Sequence, residues 1–161
     1  MKRLFCLLAL GLSVSVAHAQ THSVQVAVLK AWNPGSKGLQ RGCDEVVKIR
    51  VPQKTVTPDS ALRALFGLDN RKLGTAFSFI DRSNDAIVNP SRQPVQFDWV
   101  TVSRGVARVY LKGDPPVYAG VCDDIRLTVQ IEETLRQFST VKSVSIYLNK
   151  KPYTPPNESG Q

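Results

Sequence analysis

Two cysteines, Cys43 and Cys122, constrain this chain more than any other feature, once the first nineteen residues are read for what they are. Met1, Lys2 and Arg3 make a short basic start, residues 4–12 are apolar apart from one glycine, and Ala17, His18 and Ala19 form a small-x-small site before Gln20. That is the layout of an export signal cleaved near Ala19, and its apolar run is too short to span a bilayer. Cys6 leaves with the signal, since the five residues before it are too few for a lipid-attachment site. An even pair then remains in a chain sent to an oxidising compartment, which reads as a disulfide, with two buried free thiols as the alternative. Closing a loop of about 80 residues is worth about 4 kcal/mol in the chain-entropy account. Each cysteine is followed by an aspartate, Asp44 or Asp123, and neither belongs to a Cys-x-x-Cys pair. Zinc binding and thioredoxin-like redox chemistry therefore find no support.

Removing nineteen residues from 161 leaves 142, and losing Lys2 and Arg3 lowers the net charge from +8 to +6. A chain of that length with 42% hydrophobic residues can bury a single core, and it is too apolar to be disordered or collagen-like. In an exported protein the basic balance points away from nucleic acid and toward anionic envelope polymers or lipid headgroups, with a solvated basic face that binds nothing specific as the plainer alternative.

Local pattern gives the elements. Val24, Val26 and Val28 alternate within residues 23–29, and Val47, Ile49 and Val51 alternate with Lys48 and Arg50 within residues 45–51; both read as strands. Thr57, Pro58 and Asp59 open a helix as N-cap, first position and dipole complement, with Gly67 as its stop. Residues 76–80 read as a short strand and 81–94 as a polar loop. Two runs, 95–102 and 106–111, flank a glycine-containing turn and make a hairpin. Apolar positions switch from odd (Val95, Phe97, Trp99) to even (Val100, Val102), which predicts a bulge near Trp99 or burial on both faces. Leu127, Ile131, Leu135 and Phe138 predict a helix over 123–138, with Asp123 and Asp124 at its start and a Glu132/Arg136 pair on its surface. Residues 143–149 read as the last strand and 152–161 as a mobile tail. The order implies an α+β fold, a mostly antiparallel sheet with two helices on one face. The divisions are 1–19 signal, 20–44 strand and loop, 45–149 main domain, 150–161 tail.

Chemistry is sparse. His22 is the one histidine outside the signal and lies near a chain end, so a histidine-based triad is disfavoured and no metal or cofactor is expected. A carboxylate pair for glycoside hydrolysis would come from Asp98, Asp114, Asp123, Asp124, Glu132 and Glu133, but these read better as turn, strand-surface and helix-surface residues. Lys48, Arg50, Arg104, Arg108 and Lys112 are the candidate contacts for a partner or polyanion, on the expectation that several strand cations share the exposed face or rim of the sheet. Trp32, Trp99, Tyr118, Tyr147 and Tyr153 are the candidates for a sugar-stacking platform, with Trp99 read rather as core.

Several strings resemble the GerMN domain, the sporulation and spore germination domain of exported bacterial proteins. They are Val46 through Pro52 as its early strand, Thr57 through Phe66 as its first helix, and Ser103 through Leu111 as its glycine turn and strand. Most specific is the closing run of Thr134, Leu135, Phe138, Val141, Val144 and Ile146, spaced as in that domain's last helix and strand. The resemblance covers residues 45–149. It implies a non-catalytic envelope module, similar to ring-building motifs that associate through sheet faces and helices, and it carries over no catalytic residue. The chain departs from the pattern where Asn149, Lys150 and Lys151 replace the usual glycine turn, and in its cysteine pair. The expected activity is thus interaction or assembly, self-association included, with polyanion binding as the alternative and a carboxylate hydrolase as the remote one.

Overall fold

The alternating valines near the N-terminus form β1 (His22–Ala31) of a computed structural model that describes residues 22–80, 91–116, 118, 122–123 and 125–155. With β2 (Leu39–Arg41) and β3 (Asp44–Gln53) it makes an antiparallel sheet in spatial order β1-β3-β2. After α1 (Pro58–Phe66) and a single 3-10 turn (Asn70–Lys72), a second sheet takes β4 (Gln96–Ser103), β5 (Val106–Lys112), β6 (Ser143–Leu148) and β7 (Lys151–Pro152) in that order. Its β5–β6 pair is parallel, because α2 (Arg126–Leu135) lies between them in the chain and carries it back to the same end of the sheet. The fold is α+β and mostly antiparallel, as expected. Its strands sort into two sheets rather than one, since α2 occupies the edge of β1 where a further strand would have joined.

The local signals for α1 act as read. Thr57 accepts the Ser60 amide at 3.1 Å, Ser60 Oγ accepts the Thr57 amide at 3.0 Å, and the Gly67 amide closes the last turn on the Arg63 carbonyl. Leu62 and Leu65 from α1, with Leu127, Ile131 and Leu135 from α2, are buried against β1, whose Val24, Val26 and Val28 fill one face and Ala27 and Leu29 the other. The inner side of the second sheet adds Ala107, Val109, Leu111, Ile146 and Leu148. Each fully buried aliphatic side chain of this kind contributes about 1.5–3 kcal/mol.

β1 is an edge strand buried on both faces, so its outward backbone groups need partners that water cannot supply. They find them on α2. Ala27 donates its amide to Thr134 Oγ1 at 2.9 Å, and its carbonyl accepts from Gln130 Nε2 at 3.0 Å. Two residues earlier, the Gln25 amide and carbonyl bond the two ends of the Gln137 side-chain amide at 2.9 and 2.6 Å. Two residues later, Leu29 exchanges both bonds with Phe77. Gln130, Thr134 and Gln137 are spaced four and three apart, one stripe of a helix. Gln130 Oε1 also accepts the Phe79 amide at 2.8 Å, so this buried side chain ties three segments together.

Cys43 and Cys122 form the expected disulfide. The aspartates that follow them converge on one guanidinium. Arg126 meets Asp44 in two parallel bonds of 2.6 and 3.0 Å, also bonds Asp123, and lies over the Phe77 ring. Asp44 is only 2% exposed. Burial works against the charge on Arg126, but Asp44 and Asp123 outweigh it and hold the guanidinium pKa above its ordinary value.

Several expectations are corrected. The second helix begins at Arg126 rather than residue 123, because Asp123 turns its carboxylate to Arg126 instead of capping; Asp124 lies outside the described residues. Glu132 pairs with Arg41 of β2, and Arg136 pairs with Glu133 instead. Glu133, read as solvated surface, is 3% exposed, held by Arg136 at 2.8 Å and flanked by Arg41 and Lys48 at 3.8 Å. The strand read over residues 76–80 reduces to the single bridge at Phe77. The expected polar loop lies mostly outside the described residues. The start of the expected mobile tail is anchored, since β7 pairs with β6, the Tyr153 amide bonds the Ile146 carbonyl, and Pro155 is buried.

Four variants test these buried polar contacts. Thr134→Val strands the Ala27 amide and should cost about 1–3 kcal/mol, and Gln130→Leu, which strands two groups, should cost more. Arg126→Leu leaves Asp44 buried and unpaired and should cost about 3–5 kcal/mol, with Arg126→Lys recovering little because a point charge cannot make the two-bond fork. Urea unfolding midpoints measure all four.

Candidate functional site

The outer face of the second sheet takes its shape from a two-residue turn and a bulge. Arg104 and Gly105 both have positive φ, 52° and 83°, the combination that matches a hairpin's twist. The resulting register sets Thr101 against Arg108 and Trp99 against Tyr110. At Asp98 the register shifts, which turns Phe97 inward against Phe66 and Trp99 outward. That flip explains the change of apolar parity noted in the sequence, and it corrects the reading of Trp99 as core, for its side chain is 44% exposed.

The parallel β5–β6 register then places Tyr147 beside Tyr110. Trp99, Tyr110 and Tyr147 form a row across three strands, with ring centroids 3.9 and 5.0 Å apart and planes tilted by only 8° and 16°. Pro152 of β7 stands next to Tyr147 in the same row. The rings stack on one another, so the facing ring surfaces are used within the protein, while Trp99, at the β4 edge, remains partly exposed. Thr101, Arg108 and Ser145 form the neighbouring row toward the turn, and Lys112 lies on the other side, 3.8 Å from Asp98. Among the described residues neither Arg104 nor Arg108 has an acidic partner.

The five candidate cations do not share one face. Arg104, Arg108 and Lys112 belong to the second sheet, whereas Lys48 and Arg50 lie on β3 of the first, where Lys48 faces Glu133. The aromatic candidates scatter likewise. Trp99 and Tyr147 join the row through Tyr110, Trp32 is exposed in the loop after β1, and the half-buried Tyr118 and Tyr153 contact each other through their hydroxyls. Tyr110 and Thr101 were missed as site residues. The reflection of residue numbers about the Arg104–Gly105 turn could have found both, but the parallel pairing with Tyr147 has no local signal.

The carboxylates proposed for hydrolysis are engaged elsewhere. Asp98 meets Lys112, Asp114 accepts the Gln93 amide at 2.8 Å, Asp123 holds Arg126, and Glu132 and Glu133 hold Arg41 and Arg136. A groove of about 240 Å³ is lined by Glu132, Arg136, Val141, Lys142, Ser143 and Val144. Among the described residues there is no cluster of three potential metal ligands, and no helix is long and apolar enough to cross a membrane.

No protein-family model matches the chain, and no curated protein matches it in sequence. Solved structures do match its shape. The tandem GerMN domains of the sporulation protein GerM from Bacillus subtilis superpose with a TM-score of 0.53 at 15% identity, over 91% of this chain and 49% of that one. A candidate lipoprotein from Clostridium perfringens gives a TM-score of 0.41 at 12% identity, over 86% of this chain and 82% of that one. The fold of this protein is GerMN-like. The chain spans about half the length of the GerM structure, which holds its domains in tandem.

Burial pushes the Tyr153 hydroxyl from 10.0 up to about 12. The unfolded chain loses this proton first, so its contribution to stability is full below about pH 10 and is lost as the pH rises from there to about 12. Tyr153→Phe should flatten the fall in stability over that window, which thermal unfolding at stepped alkaline pH would show.

Proposed function

We propose that this protein is an exported, non-catalytic module of the cell envelope that holds another envelope protein on the outer face of its second sheet. Residues 1–19 serve as the export signal, cut near Ala19, residues 20–44 supply the strand and loop that enter the main domain of residues 45–149, and the chain ends in a short tail. The observation that carries the reading is the juxtaposition of a stacked Trp99, Tyr110 and Tyr147 row with Arg104 and Arg108, whose charges have no acidic partner among the described residues. Exposed aromatic and arginine side chains side by side are what protein interfaces enrich. The disulfide is consistent with life outside the cytoplasm. An arrangement of carboxylates already committed to cations and amides offers little to a hydrolytic mechanism.

The same cations favour a second reading, contact with an anionic envelope polymer. Salt separates the two, because binding through exposed charges alone weakens steeply once screening reaches about 10 Å at 0.1 M. The test is crosslinking in intact envelopes with wild type and with Arg104, Arg108 and Lys112 all changed to alanine. The triple variant should fold normally, and it should lose the crosslinked partner. Undiminished crosslinking would refute the role of this face, and a captured species that is a polymer released by moderate salt would favour the second reading.

A further inference from the structure

Of the four sheet edges, one is sealed and two are too short to offer much to another strand. β1 is sealed by Gln130, Thr134, Gln137 and Phe77, β2 is three residues long, and β7 is two residues long and contains Pro152. β4 is the exception, with eight residues that include no proline and no cation, and none of the described residues pairs with its outer side. Such an edge is a template for another strand. We infer that β4 pairs antiparallel with β4 of a second copy of this chain, about a two-fold axis at Thr101.

The backbone sets this register. A two-residue turn makes Ser103 and Val106 a hydrogen-bonded pair, so Thr101 and Trp99 also bond inward to β5, and the outward amides and carbonyls belong to Val100 and Val102. Pairing Val100 with Val102 of the second copy, and the reverse, uses every one of those groups. A shift of two residues either way would match them with the Asp98 bulge or the Arg104 turn.

The side chains agree with the same register. Among the described residues five large apolar side chains are exposed, and two of them, Trp99 and Val102 at 38%, lie on β4. The pairing sets Trp99 beside Ser103 of the second copy, and Val102 beside Val100 on the inner face. Asp98 comes to face Arg104 of the second copy, so the strand's one acidic residue and the cation of its turn are complementary across the axis. Two four-stranded sheets become one of eight strands, with both basic faces on the same side. The proposal rests on the reading of this protein as an interaction module and names one of its partners.

Sedimentation of the purified protein between roughly 1 μM and 1 mM tests it. A monomer–dimer equilibrium is expected. Thr101→Lys sets two ammonium groups together at the axis and should weaken the dimer by about tenfold or more while leaving the circular dichroism spectrum unchanged. Thr101→Cys places two thiols on a pair whose Cα atoms stand about 4.5 Å apart, so mild oxidation should give a disulfide-linked dimer. Monomer throughout the range overturns the proposal, as does a dimer indifferent to Thr101→Lys or a β4 edge that takes up a strand of a different protein instead. Because the readout is the mass of the purified protein alone, self-pairing can fail while crosslinking of an envelope partner through Arg104, Arg108 and Lys112 stands, and the converse is equally visible.

Discussion

The structure depends on how the free edge of β1 is satisfied. A strand buried on both faces cannot leave amides and carbonyls bare, and the usual remedy is another strand. Here a helix takes that place, with Gln130, Thr134 and Gln137 acting as surrogate backbone groups. The consequence reaches the whole architecture. With α2 seated on that edge, the first sheet ends there, α1 and α2 pack together over β1, and the remaining strands must form a sheet of their own. The threonine that opens the closing GerMN-like pattern is Thr134, so part of that pattern has a hydrogen-bonding role as well as a packing one.

The disulfide and the Arg126 fork fasten the other end of the same helix. Each supports the other, because the bond holds Asp44 and Asp123 near one another and the guanidinium bonds both. Glu133 repeats the principle on the next turns, a buried carboxylate with Arg136, Arg41 and Lys48 around it. Much of the protein's charge is thus spent on orienting α2. Arg104 and Arg108, beside the aromatic row, have no acidic partner among the described residues.

Local signals were legible and distant ones were not. The valine alternation of β1, the Thr57 cap, the Gly105 turn and the Asp98 bulge each follow from a few neighbouring residues, and they are where the sequence places them. Gln130 and Thr134 carry no local sign of their bonds to β1, because the groups they serve lie about a hundred residues away in the chain. Glu133 looked solvated for the same reason. Which of the strand cations share a face was not legible, because alternation within a strand says nothing about which sheet a strand joins. The aromatic row was half visible, since Trp99 and Tyr110 follow from the hairpin, whereas Tyr147 enters through a parallel pairing across a helix.

The central claim is an asymmetry, an edge sealed by side chains at β1 against an edge at β4 with which none of the described residues pairs. Amide hydrogen exchange in dilute, monomeric protein measures it residue by residue. Ala27 and Leu29 should exchange only through global unfolding, and Val100 and Val102 should exchange orders of magnitude faster. An Ala27 amide that exchanges as readily as Val100, or Val100 and Val102 amides protected in the monomer, would contradict the account.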